Sequence, residues 1–266
     1  TELYLGFENL VKDFQLSKRT EEDTVTAIRV FGGDKLDLRD VNLGMDYLFD
    51  LSHYYDRMSP GLLDKWKAWL ALKDSLCEDY IALAIRHNNN TLAQLNLHTM
   101  LPEDEDSGTE DWTKYGINEL TSKLKTTSQI LENYEKLGLS QDSETWLNAV
   151  QKRDAVQAEL EAKKAQLEEL KAEEAEIVRE KLAVTKQIDW NSFYTVSELK
   201  ELTPYIKEAD YTNDTILILD SYSIEEIIEQ QKELKKDAVN ALSRLSQPQY
   251  TISTSLVNLF SLPKFR

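Results

Sequence analysis

From Gln151 to Gln187 the sequence runs 37 residues without a glycine, a proline or an aromatic side chain, and 17 of those residues are charged. The residues that break helices are missing from this run, so nothing in it stops a helix once one has started. Leu160, Leu167, Leu170, Ile177 and Val184 mark an apolar seam along it, and Lys163, Glu174 and Lys181 interrupt that seam. Ser140 can cap the start. If helical throughout, the 48 residues from Ser140 to Gln187 rise roughly 70 Å at about 1.5 Å per residue. That is too long for a core helix of a compact domain, so the segment needs a partner helix. Its charged face reads as a solvated coiled coil, and the broken seam could also serve as an oligomer contact.

The nearest partner lies just upstream. Ile117, Leu120, Leu124, Thr127, Leu131 and Tyr134 step by alternating threes and fours, which is an a/d seam. Gly138 suits the C′ position that ends it. A short turn there makes an antiparallel hairpin the economical arrangement. A third helix starts at Ser59-Pro60, with serine as N-cap and proline at the first helical position. Leu62, Trp66, Trp69, Leu76, Tyr80 and Leu83 follow on a 4-3 spacing, Lys73 fills the one gap, and the stripe extends through Leu92 and Leu95. Tyr47, Leu48, Leu51, Tyr54 and Tyr55 suit a short helix.

The flanks have strand character. Val11, Phe14 and Leu16 sit in a polar stretch, and residues 24–31 are β-branched with rough alternation. Gly32-Gly33-Asp34 is turn chemistry in which glycine accepts positive φ, and Lys35 to Val41 alternates again. After the long helix, Trp190, Phe193, Val196 and Leu199 form a short helix before Pro204. Tyr211 to Leu219 reads as a strand. Ser223 caps a final helix with Ile224, Ile227, Leu234, Ala241 and Leu245 on one face, stopped by Pro248, and Gln249 to Leu262 returns to strand character. The layout is β, helices, β. The two ends are expected to pair, with the region of Val30 adjacent to Ile252 in one sheet. The chain opens on Leu3-Tyr4-Leu5 and stops at Leu262-Pro263-Lys264-Phe265-Arg266, both apolar and extended. With no signal peptide at Thr1, this reads as an excised piece of a longer polypeptide.

Composition narrows the function classes. The 266 residues carry 48 acids against 31 bases, a net charge of −17. A nucleic acid or an anionic membrane needs a basic surface, so neither is the expected main partner. The sequence holds no run of about 18 apolar residues, so no helical bilayer span is expected. With 41% hydrophobic residues the chain can bury a core. The single cysteine excludes an internal disulfide framework.

No catalytic, cofactor-binding or metal-ligating residue stands out. Glu103, Asp104, Glu105, Asp106, Glu110 and Asp111 could bind Ca²⁺, but Gly108 falls fifth from Asp104 where a calcium loop wants it sixth. A solvated acidic turn is the better reading. His53, His87 and His98 show no His-Glu-x-x-His spacing, and His87 reads as a helix-face residue making a hydrogen bond. Cys77 lies beside the stripe and packs as a small apolar residue. Trp66, Trp69, Tyr80, Trp112, Tyr115 and Trp146 could form a sugar- or peptide-binding shelf, although periodic aromatics on helices more often fill a core. There is no Walker loop, Gly-x-Gly-x-x-Gly or Gly-x-Ser-x-Gly.

Two segments carry a family likeness. One runs through Tyr4-Leu5-Gly6-Phe7-Glu8-Asn9-Leu10, residues 24–34 and Leu38-Arg39-Asp40-Val41-Asn42. The other joins residues 242–252, with Ser246-Gln247-Pro248-Gln249-Tyr250, to Asn258-Leu259-Phe260-Ser261-Leu262-Pro263. Together they resemble the tail-tip hub proteins of phages and prophages of Gram-positive bacteria, the minor structural or tail endopeptidase-type family. The resemblance implies a virion protein at the distal end of the tail, made in the bacterial host cytoplasm. It also implies a homotrimeric hub, contacts to other tail and baseplate proteins, access to the bacterial cell surface and, in some members, a separate peptidoglycan-cleaving domain. No lytic motif occurs here.

The expected fold is therefore α+β, mostly α, with a long antiparallel helical hairpin or coiled coil inserted between β-rich ends. Residues 1–42 and 248–266 form the β base, 43–137 a helical region, 138–188 the long coiled-coil helix and 189–247 a small α/β return. The expected role is a non-catalytic helical arm or spacer of a tail hub, whose acidic surface would repel DNA and suit a conduit wall. The alternatives are a tail-associated cell-wall-degrading enzyme, which predicts a cleft with a metal or nucleophile, and a non-viral coiled-coil scaffold, which predicts remote termini and no β base.

Overall fold

The structure, a computed structural model, describes residues 11–18, 24–101, 111–219, 221–248 and 250–256. Chain order is β1 (Val11–Lys18), β2 (Ala27–Gly32), β3 (Tyr47–Phe49), α1 (Pro60–Thr99), α2 (Ile117–Lys136), α3 (Glu144–Ile188), α4 (Trp190–Phe193), α5 (Val196–Leu202), β4 (Glu208–Asn213), α6 (Ile224–Leu245) and β5 (Tyr250–Leu256). The chain is α+β and mostly helical. It divides into a first unit, residues 1–77 and 187–266, and a second, residues 78–186, inserted within the first in chain order.

In the first unit β1 and β5 pair antiparallel, Leu16 opposite Ile252, with a register shift between Val11 and Asp13. The N- and C-terminal strands thus meet as expected, but Val30 does not join them. Val30 belongs to a second sheet of order β3-β2-β4, where it lies opposite Tyr211 in a parallel pair. β3 runs antiparallel to β2, Leu48 opposite Ile28. A parallel pair cannot be closed by a tight turn, and here the whole helical excursion intervenes between β2 and β4.

Several local expectations change. Residues 47–55 form β3 and a 3₁₀ turn at Ser52–Tyr54 rather than a helix. Their period suits a helix, but pairing with β2 buries Leu48 on the strand's inner face. Lys35 to Val41 is not a strand either, since 3₁₀ turns occupy Gly33–Lys35 and Arg39–Val41. At the first of these the positive φ falls on Asp34 and Lys35, not on the glycines. The glycines are there for closeness: a Cβ on Gly32 would lie 2.8 Å from the Ile216 oxygen. The strand expected at 211–219 lies earlier, at Glu208–Asn213. Its polar sequence hid it, because an edge strand needs only one half-buried face. On α6 the buried row is Ile228, Gln231, Leu234, Ala238 and Leu242, which shares only Leu234 with the expected face. Ser223 caps α6 in a capping box with Glu226.

The core of this unit gathers Ile28 and Val30 of β2, Leu48 of β3, Leu62, Trp66 and Trp69 of α1, and Ile228, Leu234 and Leu242 of α6. Trp66 and Trp69 stack at 5.2 Å, with Phe49 and Trp190 edge-on or tilted around them. The Trp69 indole donates to the Ile188 oxygen at 2.9 Å, so the buried ring leaves no orphan donor.

Candidate functional site

In the second unit the length of α3 is matched by two partner helices in succession. The N-terminal half of α3 packs Val156, Leu160 and Leu167 against Ile117 and Leu120 of α2, with Leu97 and Leu124 at the margin. The a/d seam of α2 is buried at Ile117, Leu120, Thr127 and Leu131. The turn between α2 and α3 is a Schellman motif. Gly138 sits at φ +71°, its N–H donates to Glu135 O at 2.9 Å, and Leu139 N–H donates to Tyr134 O at 3.0 Å. α3 begins after Ser143, whose hydroxyl accepts from Trp146 N. Ser140 instead closes the preceding turn, accepting from Asp142 N.

The C-terminal half of α3 faces α1, antiparallel, and polar ties join the two. Asn90 donates to Leu170 O at 3.0 Å, and Gln94 donates to Glu174 at 2.8 Å and to Asn90 Oδ1 at 2.7 Å. His87 stands 3.6 Å from Glu174, and Arg86 meets Glu180 and Glu173 at 3.3 and 3.7 Å. The Gln94 hydrogen bond, with His87 adding to it, holds the Glu174 carboxyl below the usual carboxylate range. Lys181 lies 5.1 Å over the Tyr80 ring. Lys163 is buried and donates to Thr113 O at 2.9 Å. All three charges that interrupt the α3 seam reach across to a neighbouring segment, as Glu173 and Glu180 also do. Exposed Leu92 and Leu95 correct the expected extension of the α1 stripe. A straight helix drifts about 20° per heptad against a 3.5 repeat, so the buried line passes instead through Tyr80, Ile81, Ala84 and Asn90.

The sequence candidates scatter. Glu103, Asp104, Glu105, Asp106 and Glu110 lie outside the described residues, as do Tyr4 to Leu10 and Asn258 to Pro263. Asp111 caps a 3₁₀ turn through Thr113. His53 stacks edge-on to Tyr54, and its Nε2 is buried. His98 ends α1. Trp66, Trp69 and Tyr80 are core, and Trp112, Tyr115 and Trp146 are half-buried, so the six do not form one shelf. Among the described residues no group of three or more His, Cys, Asp or Glu side chains could hold a metal ion, and no helix is long and apolar enough to cross a membrane.

One cluster in the first unit was not singled out from sequence. Lys73, the gap in the α1 stripe, is buried beside Trp69, and Lys235 of α6 approaches it. Cys77 is held there too: its thiol donates to Val41 O at 3.3 Å and lies 3.5 Å from the Lys235 ammonium. The sequence signal was a lysine on an apolar row.

No protein-family model matches the chain, and no solved structure matches it. Among curated proteins it is similar to the SPbeta prophage-derived uncharacterized protein YomG of Bacillus subtilis (strain 168), with 25% identity over 244 residues. The match takes in 91% of this chain and 26% of that protein, so the chain spans about a quarter of its relative's length.

Proposed function

We propose that the chain is a non-catalytic assembly segment of a phage or prophage tail-tip protein, acting as a helical arm or spacer of the tail hub. The observation that carries this reading is the way the second unit is put together. Residues 78–186 form an inserted set of long antiparallel helices, joined by Asn90–Leu170, Gln94–Glu174 and Arg86–Glu180 side-chain ties. Such an element transmits length and direction rather than shaping a reaction cleft. The prophage-derived relative supports the phage setting. The likeness to tail-tip hub proteins supports the finer placement at the distal tail, as a homotrimer among other tail and baseplate proteins that faces the bacterial surface.

The test is to induce particles from a strain carrying the parent gene, purify them on a gradient and label them with antibody raised against this chain. The expected result is co-sedimentation with tails and gold label at their distal ends. Particles that lack the protein would overturn the placement. Clearing of Gram-positive cell walls by the purified chain would favour the muralytic alternative instead.

A further inference from the structure

A cavity of about 240 Å³ opens in the first unit between β3, α1 and α6. Its walls are largely carbon, from Phe49, Trp69, Leu70 and Leu242, and Lys73 and Lys235 both line it. Lys73 is only 9% exposed. Its neighbour is the Trp69 ring, with Nζ 5.6 Å from the centroid, and among the described residues it has no hydrogen-bond or ion-pair partner. Lys235, by contrast, donates to Val41 O at 2.7 Å. Buried charges in proteins are normally paired, so an ammonium left without an anion at the wall of a cavity marks a place where an anion belongs.

The other charged groups around the cavity restrict which anion. Asp50 lines it too, but its carboxylate accepts from Ser52 N at 3.0 Å and from Ser246 Oγ at 2.7 Å. Asp74 is exposed, on the turn of α1 that carries Lys73, and the Cys77 thiol lies beside Lys235. With Asp50 and Asp74 already at its wall beside the two ammonium groups, the cavity suits a singly charged anion better than a doubly charged phosphate. The aromatic and aliphatic walls suit a hydrocarbon body behind that charge.

We propose that this cavity is a binding site for a carboxylate on an apolar stem, with Lys73 as the charged donor and Trp69, Phe49 and Leu242 holding the stem. The carboxylate could belong to a free short-chain acid or to the end or acidic side chain of another protein. Binding would supply the counter-charge that the fold withholds from Lys73. The depression of the Lys73 pKa to about 8, caused by burial and then by Lys235, agrees with an unmet charge.

The test uses the full chain, labelled with ¹⁵N, and follows the Trp69 indole N–H signal. Butyrate is titrated against butanol, inorganic phosphate and a pair of short peptides ending in leucine, one with a free carboxylate and one amidated. The expected result is a saturable shift with butyrate and none with butanol. Lys73→Met, which keeps the stem and removes the charge, is expected to weaken binding roughly tenfold or more, the range of a charged hydrogen bond. Lys235→Met is expected to weaken it less. If Lys73→Met does not fold, the wild-type comparison of butyrate with butanol decides alone. Saturation by the free-acid peptide over its amide would assign the site to a protein carboxylate, and saturation by butyrate without the peptide to a small acid. Equal shifts from butanol and butyrate, phosphate saturating where butyrate does not, or no saturable shift with any carboxylate would each overturn the proposal.

Discussion

The Asn90 side chain of α1 donates from Nδ2 to the main-chain oxygen of Leu170 in α3 at 3.0 Å, at a position where Asn90 is only 5% exposed. A side-chain amide aimed at one helical carbonyl fixes the alignment of two antiparallel helices, because a slip by one residue moves the acceptor about 1.5 Å along the axis. Gln94, which donates to both Asn90 and Glu174, extends the same lock by one turn.

Replacing that amide separates stability from alignment. Asn90→Ala is expected to lower unfolding free energy by about 1 kcal/mol, read as a lower urea midpoint at constant slope. Asn90→Leu should hold or exceed wild-type stability while loosening the alignment, as polar-to-apolar changes at buried helix seams do. Spin labels at exposed positions 89 and 169 measure the difference. A distance distribution in Asn90→Leu as narrow as wild type would refute the locking role.

Two glycines separate backbone strain from crowding. Gly138 holds φ +71° in open space, with nothing within 4 Å of an added Cβ, so Gly138→Ala is expected to cost about 1 kcal/mol, all of it conformational. At Gly116 an added Cβ would lie 2.6 Å from His98 O and 2.8 Å from Met100 N, both backbone atoms. Gly116→Ala must displace the joint between the end of α1 and the start of α2. Its cost is expected to exceed that of Gly138→Ala by about 1 kcal/mol or more. Parallel urea titrations rank the two, and equal losses would count against the close approach at Gly116.

The Lys73 charge makes stability depend on alkaline pH. Burial and the nearby Lys235 lower its pKa from 10.5 to about 8 in the folded chain. The unfolded chain therefore holds more protons than the folded one between about pH 8 and 10.5, and stability rises with pH across that window. Below pH 8 the group is charged in both states and the full penalty stands, on the order of 3 kcal/mol. Lys73→Met should raise the unfolding free energy at pH 7 and flatten the slope between pH 8 and 10.5. A variant with the wild-type slope would assign the effect elsewhere.

Glu198 works in the opposite direction. The hydrogen bond from Lys65 and that from Thr195 N lower its pKa from 4.5 to about 2. Its contribution is fully present above about pH 4.5 and is lost as pH falls toward 2. Lys65→Met should lower stability above about pH 4.5, by the modest amount of an exposed pair, with the loss fading as pH falls toward 2. Urea midpoints at pH 7 and near pH 2 read the difference, and an equal loss at both would remove the Glu198 charge from the account.

The helices were legible because their signals are local. Pro60, Ile117 and Ser223 mark real starts and Gly138 a real stop, since capping and the Schellman turn are decided within a few residues. What stayed hidden is decided by distant partners. β3 has the spacing of a helix and becomes a strand because Ile28 lies opposite Leu48. β4 reads Glu-Ala-Asp-Tyr-Thr-Asn, and its strand signal is weaker than that of the apolar Thr215 to Leu219 beyond it. On α6, Ile224 and Ile227 advertise a face that Ile228 and Leu242 fill instead. Lys73 was visible as a flaw in a stripe, but only the arrival of Lys235 from far along the chain turns the flaw into a cluster.

The pairing of Leu16 with Ile252 orders events in time as well as in space. β1 and β2 are made before the helical insertion and β4 and β5 after it, so neither sheet can be completed until the insertion has been made. The inserted helices find their partners within the insertion itself, as Asn90 does at Leu170, and are free to form while translation continues. A ribosome stalled before β4 should therefore carry protected helices while β1 and β2 still lack β5 and β4. The nascent protein's exposure to misassociation is greatest in that interval.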